Sequence, residues 1–233
     1  MERLDKLLSN TGRWSRREVK LLIRAGRAAV DGRVVTQPEA KFDPDACVTV
    51  DGEALVCGKR LYLMLHKPAG YISATEDPRK RTVLELLPEH LRRVGLFPVG
   101  RLDKDTEGLL LLTNDGPLAH ELLSPKKHVD KTYFVRVDGV LDEEDEGAFA
   151  AGMVLRDGLA CLPARLERLQ APNEALVTIR EGKYHQVKRM LASRYKPVVY
   201  LKRLSMGPIT LDKALAPGQW RALTREEQAA LGR

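Results

Sequence analysis

Gly100-Arg101-Leu102-Asp103-Lys104-Asp105-Thr106-Glu107-Gly108 runs directly into Leu109-Leu110-Leu111-Leu112. A charged nonapeptide bounded by glycines thus meets a short apolar run, which ends at Thr113-Asn114-Asp115-Gly116. The run is too short for a core helix and is closed by turn formers, so it predicts a buried strand. The nonapeptide then becomes a carboxylate-rich loop at the mouth of a sheet, the kind of place where a rigid scaffold holds functional groups. A solvated turn with ordinary charges is the simpler account, and the rest of the chain has to decide between the two.

Downstream, Asp115-Gly116-Pro117 starts a helix with proline in its first turn, and Leu118, Leu122 and Leu123 are expected to face the core. Lys131–Val137 alternates as a strand, Tyr133, Val135 and Val137 on one face and Thr132, Phe134 and Arg136 on the other. The acidic block Asp142–Glu146 opens a helix that closes near Gly152, negative charge suiting its N-terminal end. Strands are expected at 153–155, 159–169, 175–180, 198–203, 209–211 and 219–223. A basic helix is expected at 185–193, and a final helix is capped by Thr224. Upstream, Leu61–Leu65 reads as a buried strand, His66-Lys67-Pro68-Ala69-Gly70-Tyr71 as a turn, and Val83–Leu87 as a short helix stopped by Pro88. Strands outnumber helices and adjacent ones are hairpin-joined, so the fold class is α+β with a mainly antiparallel sheet.

The first ~55 residues read as a separate module. Leu4, Leu7 and Leu8 have helical spacing. Ser15-Arg16-Arg17-Glu18 has the form of a capping box, opening a helix with Val19, Leu22 and Ile23 on one face and Arg16, Lys20, Arg24 and Arg27 near the other. Asp31-Gly32 and Asp51-Gly52, each after β-branched residues, predict tight hairpins. Arg3-Leu4-Asp5-Lys6, Ser15-Arg16-Arg17 and Arg24-Ala25-Gly26-Arg27 leading to Val30-Asp31-Gly32 resemble the S-four domain, a small α/β RNA-binding domain named after a ribosomal protein. The resemblance implies phosphate contacts at Arg3, Lys6, Arg16, Arg17, Lys20 and Arg27. Such contacts position a protein and do not read sequence. Cys57-Gly58-Lys59-Arg60 is the expected break, giving domains 1–57 and 61–233.

Composition sets bounds on function. Of 233 residues, 43% are hydrophobic, enough for a core. No apolar run reaches membrane-span length and no secretory leader is visible at the N-terminus, so a cytoplasmic protein is expected. Cys47, Cys57 and Cys161 are too few and too scattered for a disulfide frame or zinc site. The net charge of +7 suits a polyanionic partner. Its distribution says more. Residues 1–35 hold nine Lys/Arg against four Asp/Glu, and residues 181–203 hold seven against one.

Phosphate-binding and dinucleotide glycine motifs, His-Glu-x-x-His and a nucleophile elbow are all absent. Asp103 and Asp105 could act as a pair, but a single carboxylate acting as nucleophile or base is simpler. It needs a cation nearby, which Glu181-Gly182-Lys183-Tyr184-His185-Gln186-Val187-Lys188-Arg189-Met190-Leu191 could supply. His185 reads as an RNA or structural contact, not a metal ligand.

The Gly100–Leu110 motif closely resembles the catalytic motif of pseudouridine synthases. Lys131-Thr132-Tyr133, the Glu181–Met190 segment and Leu201-Lys202-Arg203…Gly207 follow in that family's order. With the leading S-four-like domain, residues 2–228 resemble the RsuA group, the small-subunit (16S) ribosomal RNA pseudouridine synthases. The resemblance implies that Asp103 is the nucleophile, that Tyr133 stacks on the target uracil with a part in proton transfer open to it, and that Lys188 is the cation paired with the carboxylate. Many relatives carry Arg at that position, and Arg189 is adjacent, so either residue could make the pair. Arg101 would hold the everted nucleotide or its phosphate, and Val187 and Leu201 would form an apolar pocket wall. The implied reaction breaks the ribose–nitrogen bond, turns the uracil and rejoins it through carbon. It requires no cofactor and no metal. The implied partner is ribosomal RNA, within an assembling small subunit, and the expected state is a monomer. A large-subunit (23S) rRNA synthase of the same superfamily and a non-catalytic ribosome-assembly factor are the alternatives.

Overall fold

The structure is a computed structural model that describes residues 1–43, 46–55, 60–124 and 127–233. Of the expected domain break, Cys57, Gly58 and Lys59 lie outside the described residues. Residues 4–55 carry their own buried cluster, in which Leu4, Leu8, Val19, Ile23, Val30, Val48 and Val50 meet.

The helices Leu4–Asn10 and Arg16–Arg24 lie where the leucine spacing and the capping box place them. The Ser15 N–H donates to Glu18 Oε2 at 2.7 Å, and the Glu18 N–H donates to Ser15 Oγ at 3.3 Å, so the cap is reciprocal. The accompanying four-stranded sheet is antiparallel throughout, ordered Arg33–Val34, Ala28–Val30, Val48–Val50, Glu53–Leu55. Its hairpins turn at Asp31-Gly32 (φ 48° and 79°) and Asp51-Gly52 (φ 53° and 80°), the two consecutive positive φ values that a twisted two-residue turn demands.

From residue 61 onward one nine-stranded sheet dominates, with main-path order Arg165–Arg168, Glu174–Ile179, Lys131–Val137, Val198–Met206, Glu107–Thr113, Tyr62–Lys67, Trp220–Ala222. The four leucines explain themselves here. Leu110 and Leu112 enter the core on one face with Leu63, Leu65 and Tyr133, while Leu109 and Leu111 enter a second core with Met64, Leu118 and Ile209. A strand covered on both faces needs no polar alternation. The helices Glu143–Ala151 and Gln186–Ser193 contribute Phe149, Met190 and Leu191 to the first core. Gly116–Leu123, capped by Asp115, serves the second.

The sheet is mainly antiparallel, as the α+β reading expects. The exception is the pairing of Glu107–Thr113 with Val198–Met206, which is parallel, Glu107 opposite Lys202 and Gly108 opposite Arg203. Three local expectations change, the first being that His66 and Lys67, read as part of a turn, continue the Tyr62–Lys67 strand. The predicted 159–169 strand divides: Ala160–Cys161 pairs with Met153–Val154, and Arg165–Arg168 joins the large sheet. Pro163, which has no N–H for a ladder, lies between them. Leu123 is exposed rather than core, because it is the last residue of its helix and Leu118, Ala119 and Leu122 already fill the buried stripe. Among the described residues no helix is long and apolar enough to cross a membrane.

Candidate active site

The charged loop stands at the start of the Glu107–Thr113 strand, where the parallel pairing holds it. Both bounding glycines have positive φ, 78° at Gly100 and 104° at Gly108. The loop backbone is then bolted to the segment after the Tyr62–Lys67 strand. Gly70 N–H donates to Lys104 O at 2.7 Å. Ser73 Oγ accepts from Leu102 N–H and donates to Leu102 O, both at 3.0 Å. Lys67, wholly buried, donates from Nζ to Thr106 O at 2.8 Å, Lys104 O at 3.3 Å and Pro68 O at 3.0 Å.

This rigid frame presents Asp103. Lys188 Nζ lies 3.2 Å from Asp103 Oδ2 and 2.6 Å from Asp105 Oδ1, so one ammonium bridges both carboxylates. Burial pushes the Lys188 pKa down, but the hydrogen bonds to Asp105 and Asp103 outweigh it and leave the group above an ordinary lysine. Asp105 is held below the usual carboxylate range, chiefly by its hydrogen bond from Lys188. On the other side of Asp103, His185 Nε2 is 3.3 Å from Oδ1. His185 has φ 50°, a left-handed turn at the start of the Gln186–Ser193 helix that aims its ring at the loop.

One cleft brings together Arg101, Asp103, Tyr133, Val187, Lys188 and Leu201. Tyr133, Val187 and Leu201 are buried and form its apolar side, and Arg101 is exposed at its rim with no carboxylate in salt-bridge range among the described residues. Of the residues expected at this site, Arg189 alone is absent from the cleft. It ion-pairs with Asp157 and lines a separate groove. One residue along an α-helix is about 100° of rotation, so 188 and 189 cannot face the same carboxylate. Among the described residues no group of three or more His, Cys, Asp or Glu side chains could hold a metal ion.

In the amino-terminal unit, Arg3, Lys6, Arg16 and Lys20 line one groove, whereas Arg17 and Arg27 lie outside it. Arg27 is tied to Asp51, Arg3 to Asp5 and Lys6 to Glu2. Arg16 and Lys20 have no carboxylate in salt-bridge range among the described residues. They are the groove cations most available to phosphate. Arg16→Ala and Lys20→Ala are each expected to weaken RNA binding with little regard to sequence and to reduce the salt slope of log K by roughly one. Titrations at several salt concentrations would show it, and an unchanged slope in both variants would count against the groove.

Sequence reasoning missed Lys67, which sits in a stretch read as a turn, and its effect can be sized. Burial lowers its pKa from 10.5 to about 8, roughly 3 kcal/mol of bias against the charged form. Three hydrogen bonds from an ammonium, at about 1.5 kcal/mol or more each, are of the same order. Lys67→Met is therefore expected to leave stability near wild type at pH 7 while loosening the loop and lowering turnover. Between pH 8 and 10.5 the folded state binds fewer protons than the unfolded state, so this lysine makes stability rise with pH. Denaturant unfolding across that range should show wild type gaining on Lys67→Met, and parallel profiles would contradict the assignment.

Comparison with known proteins gives the family of both parts of the chain. Residues 61–193 match the family model for RNA pseudouridylate synthase, and residues 2–46 match that of the S4 domain. An RNA pseudouridine synthase of Bacillus subtilis is 51% identical over 97% of this chain and 96% of its own length. The ribosomal small subunit pseudouridine synthase A of Pseudomonas aeruginosa is 45% identical over 97% and 98%. The crystal structure of a pseudouridylate synthase superposes with a TM-score of 0.70 at 34% identity, covering 99% of this chain and 100% of that one.

Proposed function

The chain belongs to the RNA pseudouridylate synthase family, and from that premise we propose that it converts one uridine of small-subunit (16S) ribosomal RNA to pseudouridine with Asp103 as nucleophile. The observation that carries this reading is the bridge from Lys188 to Asp103 inside a cleft walled by Tyr133, Val187 and Leu201. The small-subunit assignment rests on relatives such as the synthase A proteins of Pseudomonas aeruginosa and Escherichia coli, 45% and 40% identical along nearly the whole chain.

Residues 1–57 dock on RNA and residues 61–233 carry out the chemistry. The target uridine leaves its stack, at a cost of a few kcal/mol, and enters the cleft against Tyr133. The Asp103 carboxylate forms a transient bond to the sugar or to the ring, and the glycosidic electron pair leaves with N1. The uracil turns, its C5 bonds to C1′, the bond to Asp103 breaks with its electron pair returning to the carboxylate, the C5 proton is lost and N1 regains one. Lys188 keeps Asp105 neutralised while the charge on Asp103 is consumed and restored. Val187 and Leu201 keep water from the detached intermediate. Nothing is oxidised or hydrolysed, so the balance closes without a cofactor.

The test is a pseudouridine map of rRNA from cells lacking the protein, with wild type or Asp103→Asn added back. One missing small-subunit site, restored by wild type alone, is expected. A missing large-subunit site would move the substrate, and an unchanged map with an assembly defect rescued by Asp103→Asn would overturn the enzymatic reading.

A further inference from the structure

Tyr184, next in sequence to the cleft residue His185, has three-quarters of its surface exposed, unusual for a tyrosine. It is not loose. Its ring stacks on His185 with centroids 3.8 Å apart and planes 17° apart, and His185 in turn contacts Asp103. One face of Tyr184 is therefore fixed on the active-site wall and the other is open to solvent. That open face borders the second groove, which Tyr184 shares with Arg156, Asp157 and Arg189. Arg189 is occupied by Asp157, but Arg156 is exposed and has no carboxylate in salt-bridge range among the described residues. A preoriented aromatic face beside an unpaired arginine, one residue from a group touching Asp103, has the makeup of a base-and-phosphate subsite.

We propose that this groove holds a nucleotide adjacent to the target uridine in the same RNA strand, its base stacked on Tyr184 and its phosphate on Arg156. Everting the uridine strips its neighbour of a stacking partner, and Tyr184 replaces it. Tyr184 of the groove stacks on His185 of the cleft, so an RNA strand with its uridine in the cleft has its neighbouring nucleotide within reach of the groove. This inference rests on the proposed RNA isomerisation. Within that reading it makes Tyr184 and Arg156 residues that position the RNA rather than carry out chemistry.

The probe is an RNA oligonucleotide spanning the mapped uridine, made intact and with either neighbouring nucleotide replaced by an abasic one. With intact RNA, Tyr184→Ala is expected to lower kcat/KM tenfold or more, mainly through KM, while Tyr184→Phe stays near wild type. One of the two abasic RNAs should cost wild type a similar factor and cost Tyr184→Ala almost nothing further. Arg156→Ala should raise KM on every RNA. Tyr184→Ala within twofold of wild type, or losses that multiply between the variant and both abasic RNAs, would overturn the subsite. If wild type forms no pseudouridine in any rRNA, the enzymatic reading has failed instead, and this inference falls with it.

Discussion

Lys188→Met is expected to abolish pseudouridine formation while leaving RNA affinity within a few-fold of wild type. In the native site one ammonium lies 3.2 Å from Asp103 and 2.6 Å from Asp105. Methionine fills similar space but removes the ammonium that bridges the two carboxylates. Loss of one preorganised electrostatic partner costs roughly 10²–10³ in rate, and here the same group also orients the attacking carboxylate, so the loss should lie at or beyond that range. RNA affinity should survive because the amino-terminal groove, some distance along the chain, is untouched. Lys188→Arg retains the charge with a longer, planar head and should recover part of the rate. Asp105→Asn should be mild alone, since Asp105 is largely exposed. Single-turnover kinetics with excess enzyme separates rate from binding. Wild-type turnover in Lys188→Met would refute the pairing, and equal inactivity of Lys188→Met and Lys188→Arg would show that shape rather than charge is required.

What could be read from the sequence follows from how local each determinant is. Asp31-Gly32 announces its hairpin because two consecutive positive φ values are a property of those two residues alone. The caps at Ser15 and Thr224 are set within four residues. The four leucines predicted a strand but could not say what covered its two faces, since Met64, Leu118 and Ile209 come from distant segments. The parallel pairing of Gly108 with Arg203 joins residues far apart in the chain, and no spacing rule reports it. Lys67 was hidden for a related reason. Its burial makes sense only once the carbonyls of Lys104 and Thr106 arrive beside it. The choice between Lys188 and Arg189 likewise stays open in the sequence. It depends on the rotation of the Gln186–Ser193 helix, set by Val187, Met190 and Leu191 turning inward.

Gly108→Ala is expected to destabilise the protein by several kcal/mol and to take activity with it. At φ 104° an L-residue is strained by about 1–3 kcal/mol before any contact is considered. The contacts are worse. A Cβ at Gly108 would lie 2.2 Å from Arg203 O and 2.7 Å from Arg203 N, backbone atoms of the partner strand that cannot rotate away. Relief requires the Glu107–Thr113 and Val198–Met206 strands to part where they run parallel. Arg203 makes parting expensive. It is almost fully buried, its Nε donates to Leu109 O at 2.8 Å, and no carboxylate lies in salt-bridge range among the described residues. Shifting the strand would strand this cation in the core, which costs several kcal/mol when a buried charge loses its partner. The same shift would pull Glu107 from the Tyr200 hydroxyl, now 2.8 Å away, and swing the loop that carries Asp103. A total of that size is a large share of the roughly 5–15 kcal/mol that holds a domain together. Denaturant midpoints measured beside turnover decide the point. Gly108→Ala should unfold at markedly lower denaturant, whereas Gly116→Ala, where a Cβ meets open space, should not. A Gly108→Ala protein with wild-type midpoint and rate would show that the strands can yield, and that the loop is not held from this position.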